Sequence, residues 1–162
     1  MSKYCVVVAD GAKARLFSLE EAGIAEGGPD LVEVSDLANS EVSAAGKDIY
    51  SNEKSGRNAA PAGGGAHGYD DHRDRHIEES KRSFAKQIAA AAADAVERQK
   101  SSCLVVAADP HMMGHLREAM SSSMRDVNVK EVVKDLTKLD PRELHQHLAA
   151  DHMLPARQAP IK

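Results

Sequence analysis

Hydrophobic positions along this chain follow two periods, and the switches between them outline a fold. Lys3 to Ala9 (KYCVVVA) and Ala14 to Leu19 (ARLFSL) are short β-prone runs flanking Asp10-Gly11-Ala12-Lys13. Asp-Gly between two such runs is a strong hairpin signal, so these strands are predicted to pair antiparallel. Leu31-Val32-Glu33-Val34 alternates apolar and polar positions and predicts a third strand, at a sheet edge. From Ser102 to Ala108 the run Cys103-Leu104-Val105-Val106-Ala107-Ala108 shows no polar alternation at all. A strand of that kind is covered on both faces, which calls for a parallel or mixed sheet between helices.

Helical spacing appears from Arg73 to Lys100, where Ile77, Phe84, Ile88, Ala91, Ala92, Ala95 and Val96 recur every three or four residues. Asp109 suits an N-cap and Pro110 the first helical position, with Met113, Leu116, Ala119 and Met120 on one face and a stop near Ser121-Ser122-Ser123. Asn128 to Lys134 gives a fifth strand. Asp140-Pro141-Arg142-Glu143 then repeats the helix-start signal, predicting a final helix to about His152. Between about Asp36 and His72 periodicity disappears into Ser, Asn, Gly, Ala and Lys. An insertion of that length inside a domain is either functional or disordered, and both readings stand.

The predicted order is βββ, insertion, α, β, α, β, α. It fits a single α/β domain over residues 1–153 with an insertion at about 36–72 and a loose tail at 154–162. The best match is a three-layer, ribonuclease H-like mixed sheet of about five strands, with strand one central and strand four parallel beside it. Another three-layer arrangement of the same elements is the alternative. In open α/β sheets ligands gather at the carboxyl ends of the strands, where Asp10 and Asp109 both fall.

Composition narrows the function classes. Aromatic residues are 3% of the 162 positions and Trp is absent, which argues against base-stacking platforms for single-stranded nucleic acid. A formal net charge of −4 supplies no global field toward nucleic acid or acidic membrane, so any RNA contact has to be local. Cys5 and Cys103 fall inside predicted strands and read as small core hydrophobes of a reducing compartment. No signal-like or membrane-spanning apolar run is present, and the expected location is the cytoplasm.

Several clusters are candidates for chemistry, each with a plainer reading beside it. His67, Asp70, Asp71, His72, Asp74 and His76 crowd one stretch beside Gly63-Gly64-Gly65, and His72 and His76 share a helix face at i,i+4. The spacing follows no named zinc pattern, and a solvated charged loop explains it equally. Arg73, Arg75, Lys81 and Arg82 lie nearby as phosphate or RNA contacts, with acidic neighbours offsetting much of their field.

Asp10 and Asp109 form a second candidate, a pair of strand-end carboxylates for Mg²⁺ or another divalent metal, with Glu78 or Glu79 as a third oxygen ligand. A hairpin turn and a helix cap account for both aspartates locally. His111 and His115, one turn apart after Asp109, face the same cleft or simply pack at the surface. His145 and His147 do not share a face, and Met112, Met113, Met120 and Met124 are core or interface filler. The nucleophile elbow, the P-loop and the dinucleotide fingerprint are all missing.

Four strings, VVVADGAKARLF (Val6 to Phe17), SFAKQIAAAAADAV (Ser83 to Val96), LVVAADPHMMGHLREAM (Leu104 to Met120) and VVKDLTKLDPRELHQHL (Val132 to Leu148), resemble in their order the bacterial host attachment family. That family is grouped with bacterial relatives of the middle domain of peptide-release factors and of Pelota. The resemblance implies a ribonuclease H-like fold and an association with ribosomes, tRNA or structured RNA. Release factors carry a Gly-Gly-Gln tip whose Gln orients water at the peptidyl-tRNA ester. Here Gly63-Gly64-Gly65 is followed by Ala66 and no Gln, so close approach to a backbone is retained and the hydrolytic group is not.

The expectation is a non-catalytic binding domain with a partner in translation or structured RNA, working through the glycine stretch and the strand ends. A divalent-metal-dependent hydrolase or nuclease using Asp10, Asp109 and Glu78 or Glu79 is one alternative. A protein-interaction module, such as a homodimer pairing through the edge strand Leu31 to Val34, is the other.

Overall fold

A computed structural model describes residues 3–21, 27–41, 66–121, 124 and 126–158, the side chains of 66–72 excepted. Among the described residues five strands form one mixed sheet: β1 (Tyr4–Ala9), β2 (Lys13–Glu20), β3 (Asp30–Ala38), β4 (Cys103–Ala108) and β5 (Asn128–Val133), in the order β3-β2-β1-β4-β5. The hairpin forms as its Asp-Gly signal predicts, with β1 antiparallel to β2 and Ala9 opposite Ala14. β3 pairs antiparallel with β2 at one edge, and its ladder shifts register between Leu16 and Phe17. β1 pairs parallel with β4, placing Ala9 beside Ala108, and β4 pairs parallel with β5.

Both faces of the central strands are covered. Cys5, Val7, Ala9, Leu104, Val106 and Ala108 face the helices α1 (Ala66–Gln99) and α2 (Pro110–Met120), meeting Phe84, Ala85, Ile88, Ala92, Met112, Met113 and Leu116. Val6, Val8, Cys103, Val105 and Ala107 face α3 (Pro141–Ala150), packing with Leu144 and Leu148. This two-sided burial is why β4 carries no polar alternation. Met112, Met113, Met120 and Met124 are buried, as the filler reading expects. Both cysteines are buried and unpaired. Burial pushes both thiols up in pKa, with a Ser101 contact partly opposing this for Cys5, so neither presents a thiolate.

Three boundaries differ from the expected ones. β3 continues to Ala38 and α1 begins at Ala66, so residues 36–38 and 66–72 belong to regular elements and not to an insertion. Residues 42–65, including Gly63, Gly64 and Gly65, lie outside the described residues. Residues 154–158 of the tail are docked where looseness is expected, and 159–162 lie outside the described residues. Leu154 is buried, Gln158 exchanges backbone hydrogen bonds with Gly28, and Arg157 Nε donates to Asp30 Oδ1 at 2.6 Å. His145, buried on α3, donates from Nε2 to the Pro155 carbonyl at 2.7 Å, whereas His147 is exposed.

Helix α1 outruns the sheet. Its 34 residues span about 51 Å at 1.5 Å each, against roughly 20 Å for a six-residue strand. Its C-terminal end meets the start of β4, where Cys103 N–H donates to the Lys3 carbonyl at 3.1 Å. Among the described side chains its buried positions begin at Ser80, so the preceding turns overhang the carboxyl rim. No helix among the described residues is long and apolar enough to cross a membrane.

Candidate functional site at the carboxyl rim

The parallel pairing of β1 and β4 delivers Asp10 and Asp109 to the ends of adjacent strands on one rim. Each carboxylate is already engaged there. Asp10 Oδ1 accepts from the backbone N–H of Ala12 at 2.7 Å and of Lys13 at 2.8 Å, closing the hairpin turn. Its Oδ2 takes the Thr137 hydroxyl at 3.2 Å. That hydroxyl also lies 2.7 Å from Asp135 Oδ1, so the segment after β5 closes against Asp10. Arg15 braces the same segment, donating to the Thr137 and Leu139 carbonyls and to Glu33. Asp109 caps α2, its Oδ1 accepting from Met112 N–H at 2.9 Å, with Pro110 opening the helix.

Glu78 does not join those aspartates. It reaches from α1 to α2, where His111 Nε2 stands 2.6 Å from Oε2 and His115 Nε2 stands 2.7 Å from Oε1. The two rings lie edge to face with centroids 5.3 Å apart. One ligand atom from each of the three residues falls within 4.8 Å of the others. His115 is largely enclosed, with 10% of its side chain exposed, while His111 is open to solvent. The hydrogen bond from His111 holds the Glu78 carboxyl below its usual pKa, with desolvation opposing and His115 adding to the lowering.

Two buried residues that sequence reasoning passed over fasten this corner. Ser80 Oγ donates to Asn39 Oδ1 at 3.1 Å, and Asn39 Nδ2 donates to the Gly11 carbonyl at 3.2 Å. This clasp ties α1 to the β1–β2 turn two residues beyond Glu78. No local pattern announces it, because an Asn just past a strand and a Ser inside a helix are each ordinary, and their pairing depends on how α1 packs on the sheet. Lys81 lies over the same turn, its Cε within 2.7 Å of where a β-carbon on Gly11 would stand.

The remaining candidates spread out. On the overhanging part of α1, Arg75 and Glu79 are exposed and Arg73 is half-buried, and just past it Arg82 is exposed and Lys81 half-buried. His76 is exposed, with Nε2 3.7 Å from Glu41. Gly63, Gly64 and Gly65 and the side chains of His67, Asp70, Asp71 and His72 lie outside the described residues.

A search of curated proteins finds no match. A family model described as "protein required for attachment to host cells" matches residues 5–148, which span β1 from Cys5 onward, β2 to β5, the whole of α1 and α2 and most of α3. The chain therefore belongs to the family of proteins required for attachment to host cells.

Proposed function

We propose that this host attachment family protein is a non-catalytic binding domain for structured RNA, ribosomal RNA included. The observation that carries this reading is the exposed face of α1 near the carboxyl rim, where Arg75 and Arg82 stand two turns apart on one side of the helix, with Asp74 and Glu79 offsetting part of their field. The ribonuclease H-like reading of the sheet belongs to the same proposal. A central β1 flanked by antiparallel β2 and parallel β4 is the arrangement that reading requires, and it supports kinship with release-factor and Pelota middle domains. Binding is favoured over strand-end metal catalysis because both oxygens of Asp10 are taken by backbone amides and Thr137, and one oxygen of Asp109 caps α2. The cytoplasm, where ribosomes are, is the location this proposal assigns.

Co-sedimentation with ribosomes tests it. Association is expected at low salt and should weaken on the order of tenfold or more between about 50 and 200 mM salt, as phosphate contacts release counterions. The charge reversals Arg75→Glu and Arg82→Glu together should remove it. Absence from the ribosomal pellet at every salt concentration overturns the proposal. A second reading, pairing with another chain through β3, is favoured by Val32 and Val34, both exposed on that edge strand. Sedimentation velocity of Val32→Lys against the native chain tests that one.

A further inference from the structure

We infer that Glu78, His111 and His115 form a binding site for a divalent first-row transition ion of the zinc type, held by two imidazole nitrogens and one carboxylate oxygen. This goes beyond the RNA-binding proposal and depends on none of the cationic residues that carry it.

The geometry is close to that of a chelate. His111 and His115 occupy one face of α2 a turn apart, and both direct Nε2 at the same carboxylate. Ligand atoms around an ion with bonds of about 2.0–2.2 Å stand roughly 3.3 Å from one another. The imidazole–carboxylate separations are 2.6 and 2.7 Å, and all three ligand atoms lie within 4.8 Å. Withdrawing the Glu78 carboxylate by well under 1 Å opens the space an ion needs, a movement within the torsional freedom of a glutamate side chain.

The scaffold is rigid on both sides. His111 sits in the first turn of a helix fixed by the Asp109 cap and Pro110, and Met112, Met113 and Leu116 anchor that helix in the core. Glu78 precedes the Ser80–Asn39 clasp by two residues. Ligands held by a packed and hydrogen-bonded shell lose little freedom when an ion binds.

Donor chemistry chooses the ion. Mg²⁺ and Ca²⁺ prefer all-oxygen sites, whereas two imidazoles and a carboxylate suit zinc and its first-row neighbours. Three protein ligands also leave a coordination position for water or a partner group. Beside His115 on the same helix, a β-carbon on Gly114 would meet nothing within 4 Å among the described residues. Hydrogen bonding alone gives a weak reason for the convergence, because a carboxylate 38% exposed gains little from ion pairing in water.

The test is calorimetric titration of the chelator-stripped full chain with Zn²⁺, paired with Co²⁺ absorption to report nitrogen and oxygen ligation. One equivalent is expected, undisturbed by a hundredfold excess of Mg²⁺. His111→Ala and Glu78→Gln should each weaken binding by about tenfold or more, and His111→Ala with His115→Ala should abolish it. His76→Ala and His147→Ala should leave it unchanged. His111 is exposed, so an unaltered denaturation midpoint in His111→Ala keeps loss of binding separate from loss of fold. Retention of the equivalent in the double histidine variant, its loss in His76→Ala or His147→Ala, or no uptake by the native chain overturns the site.

Discussion

Asp10 and Asp109 end neighbouring strands, whereas Glu78 reaches the same rim from a helix, and these carboxylates differ in what holds them. The aspartates accept hydrogen bonds from backbone N–H groups of their own turns, and Asp10 takes a buried threonine hydroxyl as well. Glu78 accepts from two imidazoles of another helix. A backbone amide is a fixed donor that no ion replaces, so the aspartates stabilise the fold. An imidazole nitrogen is a donor to a carboxylate or a ligand to a metal, so the Glu78 cluster is open to exchange. Three acids on one rim thus divide into architecture and chemistry according to their partners.

The largest expected effect of breaking this contrast lies at Asp10. Asp10→Ala removes two amide partners of one oxygen and leaves the Thr137 hydroxyl, itself buried, with only Asp135. Stability should fall by about 2 kcal/mol, read as a lower urea midpoint with an unchanged slope. Zinc uptake by the folded variant should be native-like. A loss under about 0.5 kcal/mol would mean that water substitutes freely for the carboxylate, and the architectural assignment would fail.

Asp109 comes next. Asp109→Ala deletes one cap bond, to Met112 N–H, at an expected cost of about 1 kcal/mol, and Asp109→Asn should recover most of it because asparagine caps equally well. A metal-ligating aspartate would behave differently, since the amide of asparagine is a poor replacement for a carboxylate on a divalent ion. Comparing the two variants by urea denaturation, with and without Zn²⁺, separates cap from ligand.

What the sequence disclosed follows the same division. Local signals were readable: the unbroken apolar run of β4, the Asp-Gly hairpin, and the Asp-Pro starts of α2 and α3, whose caps bond to Met112 and Glu143 N–H. The first turns of α1 were not, because a helix overhanging the rim has no sheet to face and shows no hydrophobic period. The sequence pattern marks only Leu31 to Val34 of β3, because the strand's alternation is interrupted by the register shift opposite Leu16 and Phe17 and most of it is exposed. At the site, the His111–His115 spacing was visible, yet the choice of Glu78 as their partner depends on how α1 packs against α2. No string of residues encodes that choice locally, and the same glutamate reads equally well as a third acid for Asp10 and Asp109.

Glu78→Gln gives the smallest stability effect and the sharpest contrast. The carboxamide keeps the length of the side chain and one oxygen able to accept from an imidazole, so only the charge and one acceptor are lost. Glu78 and His111 are both substantially exposed, and pairs of that kind contribute from nothing to about 1 kcal/mol. Discounted for solvent screening, the expected change is within about 0.5 kcal/mol, below what Asp10→Ala or Asp109→Ala should show. Zinc affinity should nonetheless fall by about tenfold or more in the same protein, because the lost charge is what an ion needs and what the fold does not. A urea midpoint lowered as far as in Asp10→Ala would place Glu78 among the architectural acids, since a carboxylate needed to hold two helices together could not release its imidazoles to an ion without loosening the fold.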